Sequence, residues 1–215
     1  LIMIELKTNL RLYLVTDAFL CTTPDLVTTV RLAVANGVTM VQLREKTATS
    51  AERVQMALAI KEALAGTGVP LVVNDDVTAA VAADVDGAHI GQGDMSTAKA
   101  RALLGPDKIL GLSCETAQAV QAADPALVDY LGLGPVFGTA TKADHAQPIG
   151  LDGLAQLVAL SPLPNVAIGG LKSIHVSDVR ESGADGMAVV SAICGQADPA
   201  ASTRAFGALK AEERF

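Results

Sequence analysis

Two short apolar runs in this chain stop abruptly at carboxylates. Leu71-Val72-Val73 leads into Asn74-Asp75-Asp76, and Ile90 leads into Gly91-Gln92-Gly93-Asp94. Asp75 and Asp94, delivered from the ends of neighbouring strands, offer the hard oxygen donors that magnesium prefers. Cations gather at another strand end, Gln42-Leu43-Arg44-Glu45-Lys46, where strand alternation turns Gln42, Arg44 and Lys46 to one side. A planar guanidinium fork beside a compact ammonium suits a diphosphate. The run Gly134-Pro135-Val136-Phe137-Gly138-Thr139-Ala140-Thr141-Lys142 is rich in glycine and hydroxyls and ends on a cation, a composition able to close over phosphate. Together these residues indicate magnesium-assisted chemistry on a phosphorylated substrate.

Each piece also has a plainer explanation. The Arg44–Lys46 run could be the solvated start of a helix, with Glu45 neutralising its neighbours. Asn74, Asp75 and Asp76 include good helix caps, a role that suits Asp76. For Asp75 and Asp94 to be caps alone, two caps would have to fall by coincidence on adjacent strands. The 134–142 loop could be a plain connector. His89 fits a buried polar support better than a metal ligand, because magnesium favours oxygen over imidazole. His145 and His175 carry no motif and read as surface residues.

The elements that must hold these residues alternate regularly. Strands are expected at 11–15, 40–43, 70–73, 87–90, 109–112, 130–133, 165–168 and 186–190, separated by Ala- and Leu-rich helical stretches such as 51–65 and 97–104. Pro24 and Gly37 bracket a further helix. Eight strand–helix units favour a single closed (β/α)8 TIM barrel over residues 1–215, near the lower size limit of about 200 residues for that fold. An open Rossmann-type sheet is the structural alternative, but no G-x-G-x-x-G follows the first strand. In a barrel, Gln42, Asn74, Asp75, Asp94, Ser113, Gly169-Gly170 and Ser191 all fall at C-terminal strand ends, the face where active sites are built. The ends of strands seven and eight frame the usual phosphate site of such barrels.

Composition narrows the partners. A net charge of −7 and 3% aromatic residues argue against a nucleic-acid surface. Charges interrupt every apolar run before the ~18 residues a membrane helix needs, and Leu10–Val15 is too short for a secretory core. Cys21, Cys114 and Cys194 show neither disulfide-framework nor zinc spacing, which suits the reducing cytoplasm. The expected partners are small phosphorylated molecules, with homo-oligomerisation left open.

These motifs, with Ala167-Ile168-Gly169-Gly170 and Val189-Val190-Ser191, resemble in order and spacing the signature series of the thiamine-phosphate synthase family, from about Leu12 to Ile193. The resemblance implies joining of an aminopyrimidine methyl diphosphate to a thiazole ethyl phosphate, with release of pyrophosphate. It implies that Gln42, Arg44, Lys46, Asn74, Ser113 and Lys142, within a segment that includes Leu43 and Glu45, hold the pyrimidine diphosphate. Asp75 and Asp94 would hold Mg2+ on it. Thr139, Ala140, Thr141, Gly170, Val190 and Ser191 would hold the thiazole phosphate. Arg44, Lys46, Ser113 and Lys142 would carry the catalytic load. Gly138, where the family often has proline, and Gly93, where it usually has an acidic or bulkier residue, depart from the pattern without removing a ligand. The nearest rival, a thiazole tautomerase on the same barrel, would need the phosphate site but neither the carboxylate pair nor the diphosphate cations. A non-catalytic phosphate-binding regulator would have lost some of those ligands.

Overall fold

The structure, a computed structural model, describes residues 3–138 and 147–207. Eight parallel strands, β1 (Leu12–Val15), β2 (Met40–Leu43), β3 (Leu71–Asn74), β4 (Gly87–Ile90), β5 (Ile109–Cys114), β6 (Tyr130–Leu133), β7 (Asn165–Ile168) and β8 (Met187–Val189), pair in chain order and close into a barrel. Closure is the pairing of β8 with β1, Leu12 opposite Met187 and Leu14 opposite Val189. The (β/α)8 expectation is therefore met, each strand lying within two residues of its expected place. The largest difference is β5, which continues to Cys114 because Ser113 and Cys114 still find partners in Gly132 and Leu133. β3 starts at Leu71 because Pro70 has no N–H to give the ladder; its carbonyl accepts from Val41 N at 3.0 Å.

Alternation along the strands sorts their side chains into two layers. Leu14, Val41, Leu43, Val73, Ile90, Leu110, Leu131 and Val189 pack outward against the helices. Tyr13, Met40, Val72, Ile109, Tyr130 and Val166 fill the barrel interior. Burying each large apolar side chain contributes roughly 1.5–3 kcal/mol, so the two layers carry most of the driving force.

The helices follow from local signals. In α2 (Leu26–Ala35) the cap is Asp25, which accepts from Thr28 N at 3.0 Å; Pro24, expected to open this helix, lies just before it. In α3 (Ser50–Ala63) Thr49 and Glu52 form a reciprocal capping box. The helices α4 (Val77–Ala82), α5 (Thr97–Leu104), α6 (Ala117–Ala122), α7 (Gly150–Leu160), α8 (Val176–Glu181) and α9 (Pro199–Arg204) complete the outer ring. One helix was not expected, α1 (Met3–Leu10). It precedes β1, so it lies at the N-terminal end of the barrel. There Leu6 and Leu10 join the interior cluster as a plug. No helix among the described residues is long and apolar enough to cross a membrane.

Candidate active site at the C-terminal strand ends

Toward the C-terminal ends the interior turns polar. Gln42, His89 and Ser113 take the place that Met40, Gly87 and Ile109 hold lower down, and the two tyrosine hydroxyls reach the same level.

The β1–β2 ladder continues past the barrel: Thr16 N donates to Gln42 O at 2.9 Å, and Arg44 N donates to Thr16 Oγ1 at 3.1 Å. This aims Arg44 over the mouth, its guanidinium 3.9 Å from Asp17. Lys46 lies beyond it, exposed. Leu43 and Glu45 alternate away. Leu43 is buried in the outer layer, and the Glu45 carboxylate accepts from Thr47 N and Thr47 Oγ1, both at 2.9 Å. The structure thus turns Gln42 into the interior and Arg44 toward Asp17, leaves Lys46 exposed, and sets Leu43 and Glu45 apart from the mouth.

After β3 the chain turns sharply. Asp75 N donates to His89 O at 2.8 Å, and Asp75 has φ +62°, a left-handed conformation that Asp tolerates better than bulkier residues. Asp76 caps α4, accepting from Ala79 N at 2.9 Å, and pairs with Arg53 at 3.1 Å. In the next loop Asp94 folds back to accept from Gly91 N at 2.7 Å, and the cap of α5 is Ser96. The caps are therefore Asp76 and Ser96, so Asp75 and Asp94 are not explained by capping. Partial burial and the adjacent Asp94 carboxylate push the Asp75 carboxyl up to about 6, with Asn74 and Arg44 pulling the other way. Two like charges held this close are an arrangement that a cation relieves. Among the described residues no group of three or more His, Cys, Asp or Glu side chains gathers to form a cage. A two-carboxylate site with its other positions left to water and phosphate oxygens fits the way magnesium is usually held.

On the opposite rim, the chain leaving β6 runs alongside the end of β7. Val136 N donates to Ile168 O at 2.9 Å and Phe137 N to Gly169 O at 3.0 Å. The contact is so tight that a Cβ on Gly170 would lie 2.6 Å from Gly138 O, and its φ of +63° also calls for glycine. The returning chain is tied as well, Ile149 N donating to Pro135 O at 2.9 Å. Thr139, Ala140, Thr141 and Lys142 lie outside the described residues. After β8, Cys194 N donates to Val190 O at 2.9 Å, closing a helical turn that begins at Val190 and Ser191. The leading amides of such a turn have no partner within it and suit an anion.

Sequence reasoning did not single out Tyr13, Tyr130, Thr16 or Asp17. The chain's two tyrosines were the available signal, since polar-tipped aromatics on buried strands need a partner. His89 is a buried polar support as expected, within 2.9 Å of both Tyr130 Oη and Ser113 Oγ. His175, read as a surface residue, is half-buried with its ring against Phe137, centroids 4.6 Å apart.

A family model described as thiamine monophosphate synthase matches residues 12–193. The chain belongs to the thiamine monophosphate synthase family. A thiamine-phosphate synthase of Psychrobacter sp. (strain PRwf-1) is 52% identical over 193 residues, covering 88% of this chain and 90% of that one. One of Xanthobacter autotrophicus is 51% identical over 200 residues, covering 93% and 95%. The solved thiamine phosphate pyrophosphorylase of Pyrococcus furiosus superposes with a TM-score of 0.86 at 33% identity, over 95% of this chain and 96% of that one. A 3-hexulose-6-phosphate synthase at 19% identity and a TM-score of 0.68 shares the fold. The family match spans every strand of the barrel.

Proposed function

We propose that this chain is a thiamine-phosphate synthase, a transferase that joins an aminopyrimidine methyl diphosphate to a thiazole ethyl phosphate and releases pyrophosphate. Membership of the family supports this reading, and one observation carries it to the site. Asp75 and Asp94 are brought together outside any capping role, on the same rim as Arg44 and Lys46. A tautomerase of the same barrel has no use for that pair, and a phosphate-binding regulator has no need to keep it intact.

The chemistry asks for little covalent help from the protein. The electron-rich pyrimidine stabilises the methylene cation left when pyrophosphate departs, and the thiazole nitrogen is already a nucleophile. The difficult part is the charge on the leaving group. Asp75 and Asp94 would hold magnesium, which when bound supplies positive charge to the departing diphosphate. Arg44, Lys46 and Lys142 would add positive charge around it. Gln42, Asn74 and Ser113 hold the pyrimidine end, while Thr139, Thr141, Gly170, Val190 and Ser191 hold the thiazole phosphate. Fixing both substrates at attack distance can contribute about 7–11 kcal/mol in favourable cases. The three free, buried cysteines support a cytoplasmic setting. Incubation with both substrates, with and without EDTA, tests the reading. Thiamine phosphate should form only with free magnesium, and no product under either condition would refute it.

A further inference from the structure

Five polar side chains from five strands form an unbroken chain through the barrel interior. Gln42 Nε2 donates to Tyr13 Oη at 2.7 Å, Tyr13 Oη meets Tyr130 Oη at 2.7 Å, and Tyr130 Oη meets His89 Nδ1 at 2.9 Å. His89 Nε2 then meets Ser113 Oγ at 2.9 Å. Both ends, Gln42 and Ser113, are residues assigned above to the pyrimidine substrate. The three links between them are not.

Proton counting gives this chain one direction. Each phenol has a single hydrogen, and a buried hydrogen without an acceptor costs about 1–3 kcal/mol. Tyr13 receives from Gln42, so its own hydrogen goes to Tyr130. Tyr130 then donates to His89 Nδ1. An acceptor at Nδ1 makes the imidazole the neutral Nε2–H tautomer, which donates to Ser113. One of the two Ser113 lone pairs is thereby taken by His89, and the hydroxyl hydrogen, which has no acceptor within the chain, is left to point into the mouth. An imidazolium would break the count, because Tyr130 would face a donor on each side. Burial pushes both phenols well above their usual range, so each keeps its hydrogen. The packing is built around the chain: a Cβ on Gly111 would fall 2.2 Å from Tyr130 Cζ and 2.4 Å from His89 Nδ1.

We infer that Tyr13, Tyr130 and His89 are positioning residues that fix Ser113 as a hydrogen-bond donor toward an acceptor atom on the pyrimidine diphosphate. The part of this that concerns substrate rests on the synthase reading. The chain itself does not. Two measurements separate them. In protein labelled with 15N-histidine, with the His89→Gln variant identifying the signals, His89 should show a pyridine-type Nδ1 and a pyrrole-type Nε2. The opposite tautomer, or an imidazolium at neutral pH, overturns the direction. In the active enzyme, Tyr130→Phe should lower kcat/KM for the pyrimidine diphosphate by about tenfold or more, as loss of orienting partners does elsewhere. The KM for the thiazole phosphate should stay unchanged. In a Ser113→Ala background the same substitution should have almost no further effect. Equal losses from Tyr130→Phe in both backgrounds would make its role merely structural and overturn the inference. A wild-type protein that forms no product would instead count against the synthase reading, while the nitrogen spectra would still decide the chain.

Discussion

At the scale of single residues, the carboxylate pair gives the sharpest expectations. Asp75→Ala and Asp94→Ala should each lower turnover by about two orders of magnitude or more, in line with loss of a principal electrostatic contact. Binding of the thiazole phosphate, measured by calorimetry, should be spared. Activity of either variant that is unchanged and indifferent to EDTA would remove the metal role. The raised Asp75 carboxyl also predicts a pH effect on stability without metal. Its folded pKa of about 6 exceeds the usual carboxylate value, so the folded state binds this proton more tightly than the unfolded chain. The resulting stabilisation is complete below pH ~4 and lost as pH rises through about 6. Asp75→Asn should therefore stabilise the metal-free protein at pH 7 by about 1 kcal/mol, discounted for exposure to solvent, and the gain should fade on acidification. Thermal unfolding in EDTA across that range checks it. Asp75 and Asp94 were legible in the sequence because carboxylates ending apolar runs are conspicuous. Tyr13 and Tyr130 were not, because a hydroxyl's partner lies on another strand and no local pattern announces it.

At the scale of elements, most of the chain declared itself. Gly37 marks a helix end in the sequence, and the structure ends α2 just before it, while the capping box of Thr49 and Glu52, which sequence reading did not single out, opens α3. Thr49→Ala should cost about 1 kcal/mol in unfolding experiments while leaving the KM for both substrates unchanged, since the Thr49 side chain is bonded to Glu52 within the capping box. What escaped was α1. Among its described side chains the buried contacts come from Leu6 and Leu10, and two leucines four residues apart do not by themselves announce a helix. It gains its stability from the barrel end it covers, which is tertiary information. Leu10→Ala, emptying a fully buried position, should cost about 2–5 kcal/mol by denaturant titration. A loss below 1 kcal/mol would mean that the plug adds little.

At the scale of the whole molecule, the count of strand–helix units and their polar C-terminal ends were enough to anticipate a barrel. The way it closes was not visible. Closure depends on β8 meeting β1 across almost the whole chain, and on Gly186 passing the end of α1 so closely that a Cβ would lie 1.9 Å from Leu10 O. Gly186→Ala should therefore destabilise the protein by more than 2 kcal/mol, well beyond the ordinary effect of such a change, because backbone rather than a pliant side chain must give way. Equilibrium unfolding of that variant is the test.

Because the interior below Gln42 and Ser113 is packed with Met40, Val72, Ile109 and the tyrosine rings, and Leu6 and Leu10 cover its lower end, substrates reach that level from the upper opening alone. Gln42 and Ser113 sit at the floor of that opening and Gly170 and Ser191 on its rim. A pyrimidine seated on the floor must arrive before a thiazole can roof it over. Binding should then be sequential and ordered, and steady-state velocities should give intersecting rather than parallel lines. The thiazole phosphate, added in excess to free enzyme, should act as an inhibitor by closing the entrance early. The order of traffic through this enzyme is set by a core packed solid beneath its floor.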